Sequence, residues 1–497
     1  MLSRLCSCHL GFTMLKHALE YHHDSALLFE RIAHLEWAIF LDSGQLLSPS
    51  TGKAGSQYGR YDILVAEPFM TFVTRGNVTE ISQNGRVEIS EQDPFQLVNQ
   101  ALANYPVETS DFPDKSFPFS GGALGYFAYD LARRIEKLSD HAQIDEALPQ
   151  MMIGLYDWAV VVDHRLKTAH LVSYERLNST RENFDALRAL FSKASSGSQV
   201  KTCFEITSNV VSNMTKAQYA NAFTQVQKYI YAGDCYQVNL AQRFSAQAQG
   251  DGWVAYQKLR EISPAPFMAY MRLPNLEVLS ASPERFLQVV GTHVETRPIK
   301  GTRPRAHDAE QDAKNAEELQ NSLKDRAENL MIVDLLRNDI GKNCEIGSVR
   351  AEKLFQLQSF ANVHHLVSII TGKLAQGCFG QRKTALDLLR GCFPGGSITG
   401  APKLRAMQII DELEPSKRGL YCGAIGYVGF DGNMDTNIAI RTVVYVHHAD
   451  ATGELNFYAG GGIVADSILE KEYAETLDKA SSIMKMVQYF NRISIDS

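Results

Sequence analysis

No apolar run in these 497 residues approaches the ~18 needed to cross a membrane, so no span is expected. Basic residues are not in excess. With 49 Lys and Arg against 56 Asp and Glu, the net charge is −7, which excludes the broad positive footprint of a nucleic-acid binder. A small anion remains a possible ligand, because a local cluster of arginines and backbone amides suffices for it. The eight cysteines, at 6, 8, 203, 235, 344, 378, 392 and 422, include no CxxC pair and no histidine partner at metal spacing. Cys6 and Cys8 form a lone CxC, and the set reads as the reduced thiols of a cytoplasmic protein. The first twenty residues hold Arg4, His9 and Lys16 with only a broken apolar patch and no cleavage site, so a signal peptide is not expected. Met14 offers an alternative start. A GxxxxGK[ST] loop is missing, as is a GxGxxG after a strand, which removes the phosphate-loop and dinucleotide folds.

What is present suits a large folded enzyme. With 45% hydrophobic and 21% charged residues the chain can bury an extensive core, divided into two or three units. Residues 25 to about 190 have mixed α/β patterning, with strand-like runs at 37–41, 63–66 and 159–162 and a helical run at 94–102. Glycines 121, 122 and 125 mark a close approach of backbones. The polar stretch 192–201 is the candidate linker. Beyond it, a helix over 217–231 ends at Gly233, and a strand-rich region runs from 237 to 302.

Within that region Lys300 follows a β-branched run and enters a glycine turn, Pro298-Ile299-Lys300-Gly301-Thr302-Arg303-Pro304-Arg305. Repulsion from Arg297, Arg303 and Arg305, together with burial, would favour the free amine and make Lys300 a nucleophile. A surface lysine in a basic turn is the plainer alternative. A hairpin with the three-residue loop Gly291-Thr292-His293 would set Glu284 directly across from Lys300; a two-residue loop would put them on opposite faces.

Residues 308–343 are expected to be helical, with Leu330, Val333 and Leu336 facing a core and Asp325 and Glu328 sharing a face. A further helix follows Pro402, its apolar stripe being Leu404, Met407, Ile410 and Leu413. Strands are expected at 424–430 and 436–445. Gly460, Gly461 and Gly462 then suggest a tight turn or an anion nest, and Glu472 and Glu475 stand at i, i+3 on a last helix. With Glu328 they offer carboxylates for one hard divalent ion, the pattern of Mg²⁺.

Seven motifs, PIKGTRPR (298–305), AENLMIVDLLRND (327–339), VHHLVS (363–368), FPGGSITGAPK (393–403), YCGAIGY (421–427), NIAIRT (437–442) and AGGGIVADS (459–467), resemble in order the chorismate-binding enzymes. That family includes anthranilate, aminodeoxychorismate, isochorismate and salicylate synthases. The similarity is dense over 205–490 and looser upstream, in YDILVAEP (61–68), GGALGYFAYDLARR (121–134) and GLYDWAVVVDH (154–164). The position of Lys300 is alanine in the anthranilate branch and lysine in the aminodeoxychorismate branch. Gln237 stands where the isochorismate and salicylate branches carry a water-activating lysine. The chain therefore resembles most the branch that makes 4-amino-4-deoxychorismate, for 4-aminobenzoate and folate.

The resemblance implies an α/β fold of the α+β type: two intertwined subdomains with stacked, mostly antiparallel sheets and outer helices. It implies an N-terminal domain over 14–191 and a C-terminal chorismate-binding domain over 205–490. Catalysis would rest on Lys300 as nucleophile, Glu284 as general acid and His365 at the leaving hydroxyl, with His364 structural. Gly301, Thr302, Tyr421, Arg441 and Gly460 to Gly462 would bind chorismate. Mg²⁺ would be held by Glu328 and Glu475, with Glu472 and Asp325 close by. Ammonia would come from a separate glutamine amidotransferase subunit in a heterodimer, since no glutaminase domain with a cysteine nucleophile is apparent in the chain. Tryptophan is a further ligand the family suggests, at Leu41-Asp42-Ser43-Gly44, with Ser43 as contact; an ordinary turn is the alternative. The rival activities are the anthranilate reaction and a scaffold that binds tryptophan or the amidotransferase without turnover.

Overall fold

The computed structural model describes residues 14–45, 59–107, 117–138, 148–192, 203–306, 308–360, 363–377, 382–450 and 452–491. Cys6, Cys8, Cys378 and most of the expected linker lie outside them. Two large sheets carry the fold, and every strand ladder in them is antiparallel. Each draws strands from both halves of the chain. In the first, Ala38–Asp42 from the N-terminal half pairs with Phe267–Leu273, and the sheet runs on through Leu276–Ser282, Thr442–His447, Thr452–Ile463 and Gln237–Gly250. In the second, Gly122–Phe127 pairs with Ala424–Gly429. Gly122 and Gly125 have positive φ, and a Cβ there would meet the Val428 carbonyl at 2.3 Å and the Met152 carbonyl at 2.0 Å, so the strand needs glycine toward both its neighbours.

The alternating apolar residues of the two inner faces form one core, with Ile39, Val161 and Met271 on one side and Leu124, Tyr126 and Ile425 on the other. Helices cover the outer faces. Gly252–Ile262 and Leu469–Phe490 pack on the first sheet, and Pro94–Ala103, Leu323–Gly341 and Ala385–Cys392 on the second. Lys216–Tyr231 and Lys403–Leu413 close the end of the first sheet. No helix among the described residues is long and apolar enough to cross a membrane.

Several elements depart from the sequence reading. The helix Gly252–Ile262, capped by Asp251, interrupts the region read as strands. Leu330 and Leu404 are exposed; Ile332, Val333, Leu336, Met407 and Ile410 make the contacts instead. The run 436–445 is two strands, Met434–Ile438 in the second sheet and Thr442–His447 in the first, with Arg441 turning the corner at φ +50°. A matching corner falls at 283–284, between Leu276–Ser282 in the first sheet and Arg285–Val290 in the second. The corners are tied together: the Ile438 amide donates to the Glu284 carbonyl, Ser282 Oγ to the Ile438 carbonyl, and the Ala281 amide to the Arg441 carbonyl. The residues that cross between sheets are therefore held side by side, where the site forms.

Candidate active site

The strand pair before Lys300 turns through the two residues Gly291 and Thr292, because Val290 pairs with His293. That register alone would send Lys300 to the face away from Glu284. A bulge between Ile299 and Thr302 in the pairing to Val363–Lys373 shifts the chain by one residue, with Gly301 at φ +85° in the bulge. Lys300 thus returns to the Glu284 side by a route the loop length does not reveal. A Cβ on Gly301 would lie 2.8 Å from Leu319 Cδ1 and 3.0 Å from Asp325, so helix and strand meet closely there.

Lys300 is half-buried, and its amine donates to the Ser397 carbonyl at 3.2 Å. Its pKa is lowered, first by burial and then by the charge of Lys479, against the opposing pull of Glu284, Glu328 and Glu475. The arginines nearest in sequence are not the cause. Arg297 is bound to Glu295, Arg303 to Glu318 and Asp325, and Arg305 to Asp312. Lys479 went unnoticed in the sequence, though its spacing of four from Glu475 was a usable signal; it bonds Glu475 at 2.6 Å and the Gly460 carbonyl at 2.9 Å.

Glu284 is 6% exposed, and burial raises its pKa against bonds from Ser397 and the Ile299 amide and the charge of Lys300. Its neighbour Arg285 points the other way, to Asp435 and Glu295. Ser397, inside the motif 393–403 but not singled out, donates from Oγ to Glu284 Oε1 at 2.8 Å. His365 Nδ1 lies 2.9 Å from the Thr302 hydroxyl, while its Nε2 is buried with no hydrogen-bond partner. Burial, and then the charge of Arg441, hold the imidazole down to about 3, hence neutral. His364 is taken up by Ser359 and Asp312. Arg441 is half-buried, enough to lower its pKa, and no acidic partner meets it among the described residues. Tyr421 is stacked on Tyr458 with ring centroids 5.2 Å apart, and Arg418 lies over its ring.

Gly460, Gly461 and Gly462 form neither a turn nor a nest. They lie in the strand Thr452–Ile463, paired with Ala241, Leu240 and Asn239. Their missing side chains make room: a Cβ on Gly461 would lie 3.2 Å from Glu472 Oε2 and 3.4 Å from Glu475 Oε1. Gln237, fully buried against Gly462, has no partner for either amide atom. Burial raises Glu328 and Glu472, and each also feels neighbouring carboxylates; Lys479 holds Glu475 low against its own burial. Lys324 lies 3.7 Å from Glu328. Among the described residues no three acidic, imidazole or thiol groups close on one point as they stand. The donors are nonetheless hard oxygens, the ligand chemistry that suits a divalent cation such as Mg²⁺. Asp325 is engaged by Arg303.

Ser43 is not part of this cluster. Its hydroxyl and amide both donate to Asp62 Oδ1, at 2.7 and 2.8 Å. It lines a separate cavity of about 710 Å³ between the sheets, with Tyr61, Phe117, Met268 and Arg285.

The sequence pattern of the chorismate binding enzyme family matches residues 53–485. The chain belongs to the chorismate-binding enzymes. It is 47% identical to aminodeoxychorismate synthase component 1 of Escherichia coli, over 95% of this chain and 98% of that protein. The protein of the same name from Salmonella typhimurium is 48% identical, over 92% and 94%. Anthranilate synthase component I from Streptococcus pneumoniae superposes with a TM-score of 0.72 at 31% identity, covering 86% of this chain and 93% of that one. The stacked sheets and outer helices are thus the fold of this chorismate-binding family.

Proposed function

We propose that the chain aminates chorismate at C4, giving 4-amino-4-deoxychorismate for 4-aminobenzoate and folate synthesis, through a covalent adduct on Lys300. The half-buried Lys300 amine and a protonatable Glu284, both bonded to Ser397, carry this reading. The amine attacks C2 of the ring as the C4 hydroxyl, protonated by Glu284, leaves as water with a shift of the ring double bond. Ammonia then bonds at C4, the double bond shifts back, and the Lys300 amine departs. Two displacements return nitrogen to the carbon that lost oxygen. His365, neutral, offers Nε2 at the leaving hydroxyl.

Chorismate is a dianion, and the Arg441 guanidinium, with no acidic partner among the described residues, suits a bidentate grip on its enolpyruvyl carboxylate. Tyr421, Gly301, Thr302 and the strand Gly460 to Gly462 would line the same pocket. Mg²⁺ would be held by Glu328 and Glu475, with Glu472 assisting. When bound it supplies a Lewis acid at the ring carboxylate. Relatives named "component 1" support a glutaminase partner as the source of ammonia. Tryptophan is proposed for the Ser43 cavity. The five described cysteines are free thiols, which goes with a cytoplasmic location.

The test is incubation with chorismate, Mg²⁺ and ammonium, followed by mass analysis of product and protein. The expected results are aminodeoxychorismate and, on stopping the reaction, an adduct on Lys300. Anthranilate as the product would favour the rival activity. Lys300→Ala should abolish the adduct and cut turnover by ~10² or more.

A further inference from the structure

Lys300 and Glu284 are each needed in the charge state that water disfavours, an amine without its proton and a carboxyl with one. Set in direct contact, such a pair would pass the proton across and lock as ammonium and carboxylate, both unreactive. The two groups do feel each other's charge. Yet no ion pair or hydrogen bond joins them in the structure, because Ser397 takes up both. Its hydroxyl donates to Glu284 Oε1 at 2.8 Å, and its carbonyl accepts from Lys300 Nζ at 3.2 Å.

We propose that Ser397 is a positioning residue that holds the lysine nucleophile and the glutamic acid apart, so that neither takes the other's proton. The inference rests on the amination reading above. A carbonyl that accepts one N–H of an amine also directs the nitrogen lone pair away from itself, so the same contact aims the nucleophile.

The turn bearing Ser397 is built to hold that position. Ser397 is 6% exposed in the short turn Gly396–Ile398. Thr399 Oγ1 donates to the Gly395 carbonyl at 2.7 Å, and the Thr399 carbonyl accepts from the Asn239 amide at 2.9 Å. Arg418, fully buried and paired with Glu414, donates to the Ile398 carbonyl at 3.0 Å and the Asn239 carbonyl at 2.9 Å. A Cβ at Gly396 would lie 2.6 Å from Leu335, so helix Leu323–Gly341 backs the turn. The other charged groups near the pair are Lys479, from the last helix, Glu328 and Glu475 toward Lys300, and the thiol of Cys422 toward Glu284. Lys479 is held by Glu475 and the Gly460 carbonyl, and it has no bond to Lys300 or Glu284.

The experiment is the pH dependence of Lys300 acylation by acetic anhydride in the full chain without substrate, read by mass analysis of its peptide. Ser397→Ala should let Glu284 reach the lysine and raise the pH at which the amine becomes free. Labelling near neutral pH then falls about tenfold or more. The kcat should fall in parallel, while KM for chorismate changes less than about threefold. Ser397→Thr should restore both, and Glu284→Gln added to Ser397→Ala should restore labelling alone. A labelling profile of Ser397→Ala that superimposes on the parent, or a deficit that persists in the double variant, would overturn the proposal. Should the alanine variant not fold by near-UV circular dichroism, Ser397→Cys, a weak donor of similar size, is read by the same two outcomes. Labelling needs no turnover, so a different product with an intact labelling shift would count against the amination reading alone.

Discussion

Arg441 concentrates two costs in one residue, a half-buried cation with no counter-charge among the described residues and a backbone in the left-handed region. Neither helps folding; a bound anion would compensate the charge, and the strained backbone fits a position fixed for that purpose. Arg441→Met should therefore raise the unfolding free energy by ~1–3 kcal/mol in denaturant titrations while KM for chorismate rises at least ~10²-fold. His365 gives a pH signature. Its folded pKa, about 3, lies below that of the unfolded chain, so its contribution is complete above about pH 6.5 and is lost as pH falls toward 3. The slope is ~1.4 kcal/mol per pH unit inside that window, and urea midpoints at two pH values should show it flattened in His365→Gln. Turnover should fall in acid as Lys300 gains its proton and in alkali as Glu284 loses one, a bell measurable in kcat. At this scale the sequence singled out Lys300, Glu284, His365 and Arg441, and the fold sets Lys300 near Glu284 and His365 near Arg441. What depresses Lys300 was not legible, because Lys479 lies 179 positions away and the nearby arginines have partners of their own.

Strands and helices bring these residues together through departures from regularity. The two-residue hairpin loop is undone by the bulge at Gly301, and the single strand expected at 436–445 breaks at Arg441 to change sheets. Periodicity reports where a strand is and says little about where it bends, so helix ends and glycine positions could be read while the bulge and both corners could not. Gly461 shows the same limit. Three glycines in a row suggest a turn, yet here they let a helix bring two carboxylates against a strand. Gly461→Ala should push Glu472 and Glu475 outward and raise the Mg²⁺ concentration for half-maximal activity about tenfold, with stability changed by less than ~1 kcal/mol. Metal titration of activity beside thermal unfolding checks both parts.

Across the whole molecule, the two halves of the chain contribute strands to both sheets, so neither half has a closed sheet of its own. The stacked antiparallel arrangement came from the family resemblance, since alternation in a strand does not name its partner. Residues 205–490 expressed alone should aggregate, and the full chain should unfold in one cooperative step by calorimetry. The layout also bears on synthesis. Strand Gly122–Phe127 leaves the ribosome roughly 300 residues before Ala424–Gly429, its neighbour in the finished sheet. At about 5–20 residues per second it waits on the order of 15–60 s with one edge unpaired. The nascent chain is thus a natural client for a chaperone, a demand set by topology and felt before any chemistry begins.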